Sequence, residues 1–209
     1  MRLHNIKTAM ISVLFIILAA SICFAEGDGF RDMSGHWAEV YVSALAEKGL
    51  ISGMPDGLFH PNEKMTFPQF VTIIITVGYG KQEPVDSYWA SGYMKTALEN
   101  GLIVPDDMEK TEDITRYDAA RLISNALDYI LEEEAAADIM IEPDFADFTD
   151  CRLCQTNYSY ARICRVKGIV TGRPSPEGLV FEGSENLTRA EGCIMIMKML
   201  APELRTLPE

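Results

Sequence analysis

Histidine is scarce in this chain: three in 209 residues, with only His36 and His60 beyond the first 25. Both fall in loops, and no catalytic constellation forms around them. No glycine-rich phosphate loop is present. Asp144, Asp147 and Asp150 lack the Gly and Glu that a calcium loop needs. These absences point to a chain that is not an enzyme and holds no cofactor or metal. Basic residues are also few, 18 against 31 acidic, for a net charge of −13. Such a field does not draw in nucleic acid or anionic lipid, so an anionic ligand must be gripped locally by a few arginines.

A single stretch has the length and apolarity of a targeting segment. Met1–Ala25 has a basic start at Arg2 and Lys7, an apolar core from Ala9 to Ala20, and a small residue, Ala25, before Glu26-Gly27. It reads as a secretory signal; the alternative is an uncleaved segment that would be the chain's one contact with a membrane, but the run is short for a span. Ile22 is too bulky to precede a lipid-accepting Cys23. Cleavage after Ala25 leaves 16 basic against 31 acidic residues, a charge of about −15.

Beyond it, one pattern occurs three times. Copy one runs Trp37, Tyr41, Leu45, Gly49-Leu50-Ile51, then Thr66-Phe67-Pro68-Gln69. Copy two runs Trp89, Tyr93, Ala97, Gly101-Leu102-Ile103, then Thr115-Arg116-Tyr117-Asp118. Copy three runs Thr156, Tyr160, Cys164, Gly168-Ile169-Val170, then Thr188-Arg189-Ala190-Glu191. The tyrosine always precedes the glycine by eight residues. Units this small cannot bury their own apolar faces and must stack on one another. The expected divisions are 26–80, 81–137 and 138–209.

Each copy reads as helix, loop, helix. The threonine is an N-cap; Gln69 and Glu191 complete capping boxes, and Asp118 is a weaker version. Apolar residues follow at helical spacing, and Gly78 and Pro202 are expected to stop the first and third runs. Val71–Val77 is β-branched throughout and scores as a strand; the cap before it argues for helix. The loops carry turn chemistry, Pro55-Asp56-Gly57 in copy one and Pro174-Ser175-Pro176-Glu177-Gly178 in copy three, with Phe59 and Phe181 as plugs. Copy two is shortened to Val104-Pro105-Asp106-Asp107 and lacks the plug. Glu132–Glu134 reads as the solvated end of a helix.

Four cysteines lie beyond residue 25, all in copy three. Cys164 and Cys193 align with Leu45 and Val71 and are expected as buried thiols. Cys151 and Cys154 invite a zinc or redox reading, but the remaining spacing fits no standard metal site. A disulfide remains open.

These residues resemble the S-layer homology family, whose pattern is roughly F-x-D, W-A, G-(I/L)-(I/V)-x-G-x-x-D-G-x-F-x-P and T-R-A-E. Copy one matches through Phe30-Arg31-Asp32, Trp37-Ala38, Gly49-Leu50-Ile51-Ser52-Gly53, Asp56-Gly57, Phe59 and Pro61. Copy three matches through Phe148-Thr149-Asp150, Gly168-Ile169-Val170-Thr171-Gly172 and Thr188-Arg189-Ala190-Glu191. Copy two keeps Trp89-Ala90, Gly101-Leu102-Ile103 and Thr115-Arg116.

The resemblance implies an all-α, pseudo-threefold trimer of repeats: a central three-helix bundle with helix–loop prongs. It also implies a secreted cell-wall or S-layer protein whose grooves bind a pyruvylated secondary cell-wall polysaccharide. The residues carried over for binding are Asp32, Trp37, Gly53, Trp89, Arg116, Asp150, Gly172 and Arg189. A pyruvate ketal is a carboxylate on a sugar, which a forked guanidinium at a helix start suits. Trp37 and Trp89 read equally as core anchors or as walls for a sugar face. Arg189 is expected to work with Gly172, and Arg116 with Trp89 of its own copy, which has lost most of its loop. Phe67 stands where the third arginine belongs, with Lys64 as a partial substitute. The rival class is a protein-interaction or scaffolding module whose grooves have decayed.

Overall fold

The computed structural model describes residues 29–133, 148–150 and 155–207. The expected signal segment and Cys151 and Cys154 lie outside the described residues. The described chain is mostly helical: α1 (Glu39–Glu47), α2 (Phe67–Tyr79), α3 (Ser91–Glu99), α4 (Arg116–Tyr129), α5 (Gln155–Val166) and α6 (Arg189–Leu200). One antiparallel hairpin, β1 (Arg173–Ser175) with β2 (Gly178–Val180), departs from an all-α reading. It forms where the proline-flanked turn of the copy-three loop folds the chain back on itself.

The caps set the long helices. Thr66 Oγ1 accepts from the Gln69 amide while the Gln69 side chain accepts from the Thr66 amide, and Thr188 and Glu191 repeat the exchange. Thr115 accepts from the Asp118 amide alone. Val71–Val77 lies wholly within α2, where Phe70, Val71, Ile73, Ile74 and Ile75 are buried. Capping and burial of that face outweigh its β-branched preference. Gly78 does not stop α2. It lies inside the helix because Ile130 packs where its Cβ would be, and the helix ends instead at Gly80, whose φ is 76°. Gly49, Gly101 and Gly168 follow α1, α3 and α5 with φ between 67° and 75°, the left-handed turn expected there.

Two cyclic arrangements join the copies. The residues leading into the long helices hydrogen-bond in a closed triangle: Met65 N–H to Leu187 O, Leu187 N–H to Ile114 O, and Ile114 N–H to Met65 O. The first helices are exchanged between copies. α3 of copy two packs on α2 of copy one, α5 of copy three on α4 of copy two, and α1 of copy one on α6 of copy three. The last contact joins the beginning of the described chain to its final long helix. α4 also packs against both α2 and α6, and Ile74, Ile123 and Met197 are buried. Cys164 and Cys193 are buried free thiols within this core, and loss of water around them pushes both up to about 12.

Glu133 is not simply solvated. It receives both guanidinium Nη groups of Arg205, at 2.6 and 2.8 Å, and the Lys167 ammonium at 2.8 Å. Arg205 also donates to the carbonyls of Lys198 and Met199. This clasp ties the segment after α4 to the ends of α5 and α6.

Candidate functional site

The loops of copies one and three are built alike. Asp32 accepts from the amides of Phe59 and His60 at 2.9 and 2.7 Å, and Asp150 accepts from those of Phe181 and Glu182 at 2.8 and 2.7 Å. Burial works against the charge on Asp32, but its amide donors outweigh that and hold its pKa below the ordinary value. The phenylalanine of each F-x-D element stacks on the loop plug: Phe30 on Phe59 at 5.4 Å and Phe148 on Phe181 at 5.2 Å. Gly53 and Gly172 admit those rings. A Cβ at Gly53 would meet Phe30 at 2.7 Å, and one at Gly172 would meet Phe148 at 2.6 Å. Asp32 and Asp150 therefore shape the loops, and the two glycines let Phe30 and Phe148 lie against them.

The arginines reach across copies. Arg116, on α4 of copy two, donates from Nε to the carbonyl of Phe181 in copy three at 2.7 Å, with its guanidinium over that ring. Arg189, on α6 of copy three, donates from Nε to the carbonyl of Phe59 in copy one at 2.8 Å and lies 4.5 Å from the ring centre. They are 8% and 6% exposed. Neither is ion-paired with a described carboxylate, and burial lowers the pKa of both.

Each arginine lines a surface cavity. The first, about 190 Å³, is walled by Arg116, by Ile169–Arg173 of the copy-three loop, by Glu191, Ile194, Met195 and Lys198 of α6, and by Trp37 of copy one. The second, about 230 Å³, is walled by Arg189, by Leu50–Met54 and Phe59 of copy one, by Met65, by Gln69, Thr72 and Ile73 of α2, and by Trp89 of copy two. The two share their arginine, tryptophan, loop and first-turn positions, and each is assembled from all three copies. Trp37 and Trp89 are 61% and 50% exposed, so they are groove walls rather than core anchors.

The expected pairings are corrected accordingly. Arg189 shares its groove with Gly53 and Trp89, not with Gly172; Arg116 shares its groove with Gly172 and Trp37, not with Trp89 of its own copy. The exchange of first helices between copies causes both changes.

The third face is different. Phe67 is buried, and Lys110, not Lys64, sits over its ring at 4.9 Å. Lys64 instead donates to the Asn186 carbonyl. The shortened copy-two loop is rebuilt as a 3-10 turn, Pro105–Glu109, which buries Asp107. Arg121 clamps that carboxylate with two hydrogen bonds of 2.9 Å and also reaches Asp118. Arg121 occupies the α4 position equivalent to Thr72 and Ile194 in the two open grooves. This face thus holds an internal carboxylate of its own.

Residues 29–71 match the family model of the S-layer homology domain. The chain is 30% identical over 129 residues to outer membrane protein SlpA of Thermus thermophilus, covering 61% of this chain and 13% of that protein. It is 27% identical over 145 residues to the cellulosome-anchoring protein of Acetivibrio thermocellus, covering 60% of this chain and 32% of that one. It is 27% identical over 185 residues to S-layer protein EA1 of Bacillus anthracis, covering 82% of this chain and 20% of that one. The chain thus spans a third or less of the length of these relatives. Residues 29–71 thus match an S-layer homology domain with its cap, loop and F-x-D geometry in place, and the chain is similar to S-layer and other cell-surface proteins.

Proposed function

We propose that the chain anchors noncovalently to the bacterial cell wall by holding pyruvylated secondary cell-wall polysaccharide in the grooves of Arg116 and Arg189. The observation that carries this reading is the pair of nearly buried arginines that form no ion pair with a carboxylate among the described residues. Each lines an open groove beside an exposed tryptophan. A buried charge without a counter-ion is costly, and a sugar carboxylate would relieve that cost with charge-assisted hydrogen bonds. Trp37 and Trp89 offer flat apolar walls to sugar rings. The organisation that supplies these grooves is a pseudo-threefold bundle of three repeats, 26–80, 81–137 and 138–209. Its support is the cyclic hydrogen bonding ahead of the long helices and the exchange of first helices.

Two grooves, rather than three, serve the wall polymer on this reading, since the third face is filled by Asp107 and Arg121. That closed face favours a second reading, in which the bundle serves as a scaffold for another surface protein. Sedimentation with purified cell walls, intact or stripped of their secondary polymer, separates the two. Anchoring to glycan predicts co-sedimentation with intact walls alone. It also predicts a loss of roughly ten- to a hundredfold in affinity for Arg116→Lys or Arg189→Lys, which keep the charge but lose the fork. Equal binding to both wall preparations, or none to either, rejects it in favour of the scaffold.

A further inference from the structure

The two open grooves are alike in backbone but not in charge. At equivalent positions the Arg189 groove has Met54, Gln69 and Thr72 where the Arg116 groove has Arg173, Glu191 and Ile194. The position of Thr76 on α2 is held on α6 by Lys198. Arg173 and Glu191 match each other: Arg173 donates to Glu191 at 2.7 Å and pairs with Glu182. Glu191 is also engaged by the Thr188 amide.

Lys198 has no such match. It is 9% exposed and lines the groove wall, and among the described residues its ammonium has one hydrogen bond, to Thr206 Oγ1 at 3.2 Å. No described carboxylate pairs with it, and burial lowers its pKa. A buried ammonium with one neutral partner is poorly compensated. Arg116, in the same groove, is a second cation; Glu191, Glu182 and Asp150 act on its charge from a distance, but no described carboxylate is ion-paired with it. Along α6, Lys198 lies seven residues beyond Glu191, whose charge acts on Arg116, a rise of roughly 10 Å along the helix axis at 1.5 Å per residue. That is the scale of a disaccharide, too long for one carboxylate to bridge.

Resting on the glycan reading, we infer that the Arg116 groove is a two-anion site: Arg116 takes one acidic group of a saccharide, and Lys198 takes a second acidic group on an adjoining unit. The Arg189 groove, whose lining has no second cation, is a single-anion site. Lys198 is then the residue that sets the charge selectivity of one groove.

The test uses two synthetic disaccharides, each with a pyruvate ketal on one sugar. The second sugar is a uronic acid in one probe and its uncharged parent in the other. Calorimetric titration of the full chain in an Arg189→Ala background isolates the Arg116 groove, and an Arg116→Ala background isolates the other. The diacid should bind the Arg116 groove roughly tenfold more tightly than the monoacid. Lys198→Met should abolish that preference, Lys198→Arg should retain it, and the Arg189 groove should show none. Circular dichroism identical to the parent would exclude misfolding of Lys198→Met. Monoacid binding with no gain for the diacid, or a gain that survives Lys198→Met, overturns this inference and leaves the glycan reading intact. Failure of both probes on the parent chain overturns both.

Discussion

At the residue scale, the grooves depend on side chains that act through loop backbone. Phe59 and Phe181 are fully buried, yet their carbonyls and rings are what hold Arg189 and Arg116. Gly53 shows how little tolerance exists around them. A Cβ there would lie 2.7 Å from the Phe30 ring and 3.0 Å from the Leu58 carbonyl. Gly53→Ala should destabilise the fold by about 1–3 kcal/mol through overpacking, measured by chemical denaturation. Stability equal to the parent would show that the loop yields without cost. Some of this was legible in the sequence: F-x-D and the plug sit at readable spacing, and the guanidinium chemistry follows from residue type. Lys198 was missed because its signal is a lone lysine in the apolar run Cys193–Leu200, which reads as an ordinary helix position until the groove is seen.

At the scale of elements, the helix starts were the most legible feature because a cap is a local contact. Thr66, Thr115 and Thr188 each accept from the amide three residues on. Thr188→Ala removes that bond and loosens the first turn, where Arg189 sits; it should cost about 1 kcal/mol in thermal stability. It should also weaken wall binding through Arg189, although Thr188 lines neither groove. A loss of stability with unchanged binding would separate the cap from the site. The end of α2 was less legible. Gly78 and Gly80 are equally good stops in sequence, and Ile130, 52 residues downstream of Gly78, decides between them by packing on Gly78. The rebuilt copy-two loop was hidden for the same reason. Asp107 stays buried because Arg121 is one helical turn inside α4, and no local rule pairs them.

At the scale of the molecule, the pairing of copies was not legible at all. Spacing shows what each copy contains, but which loop faces which arginine depends on α1 docking against α6. Charge also acts at this scale. Glu133 gathers Arg205 and Lys167, and the Arg205 hydrogen bonds, foremost, lower its pKa from 4.5 to about 2. Its folded pKa lies below the unfolded one, so its contribution is fully present above pH 4.5 and is lost as pH falls towards 2. Glu133→Gln should cost roughly 2 kcal/mol at pH 7, below the range for a fully buried pair because the carboxylate keeps some solvent contact. The gap between the two melting curves should close between about pH 4.5 and 2. A gap that is constant with pH would assign the effect to packing.

The central claim is that each groove is assembled from different copies, and a double-mutant cycle on binding to purified wall polymer tests it most directly. Arg116 and Trp37 belong to different copies but line one groove, whereas Arg116 and Trp89 belong to one copy and line different grooves. In a background of Arg189→Ala, which leaves the Arg116 groove as the main contributor, the account predicts that Arg116→Lys and Trp37→Ala are coupled. Their joint effect should differ from the sum of the single effects by about 0.5–3 kcal/mol, while Trp89→Ala adds nothing to Arg116→Lys. Coupling of Arg116 to Trp89, with Trp37 independent, would contradict it.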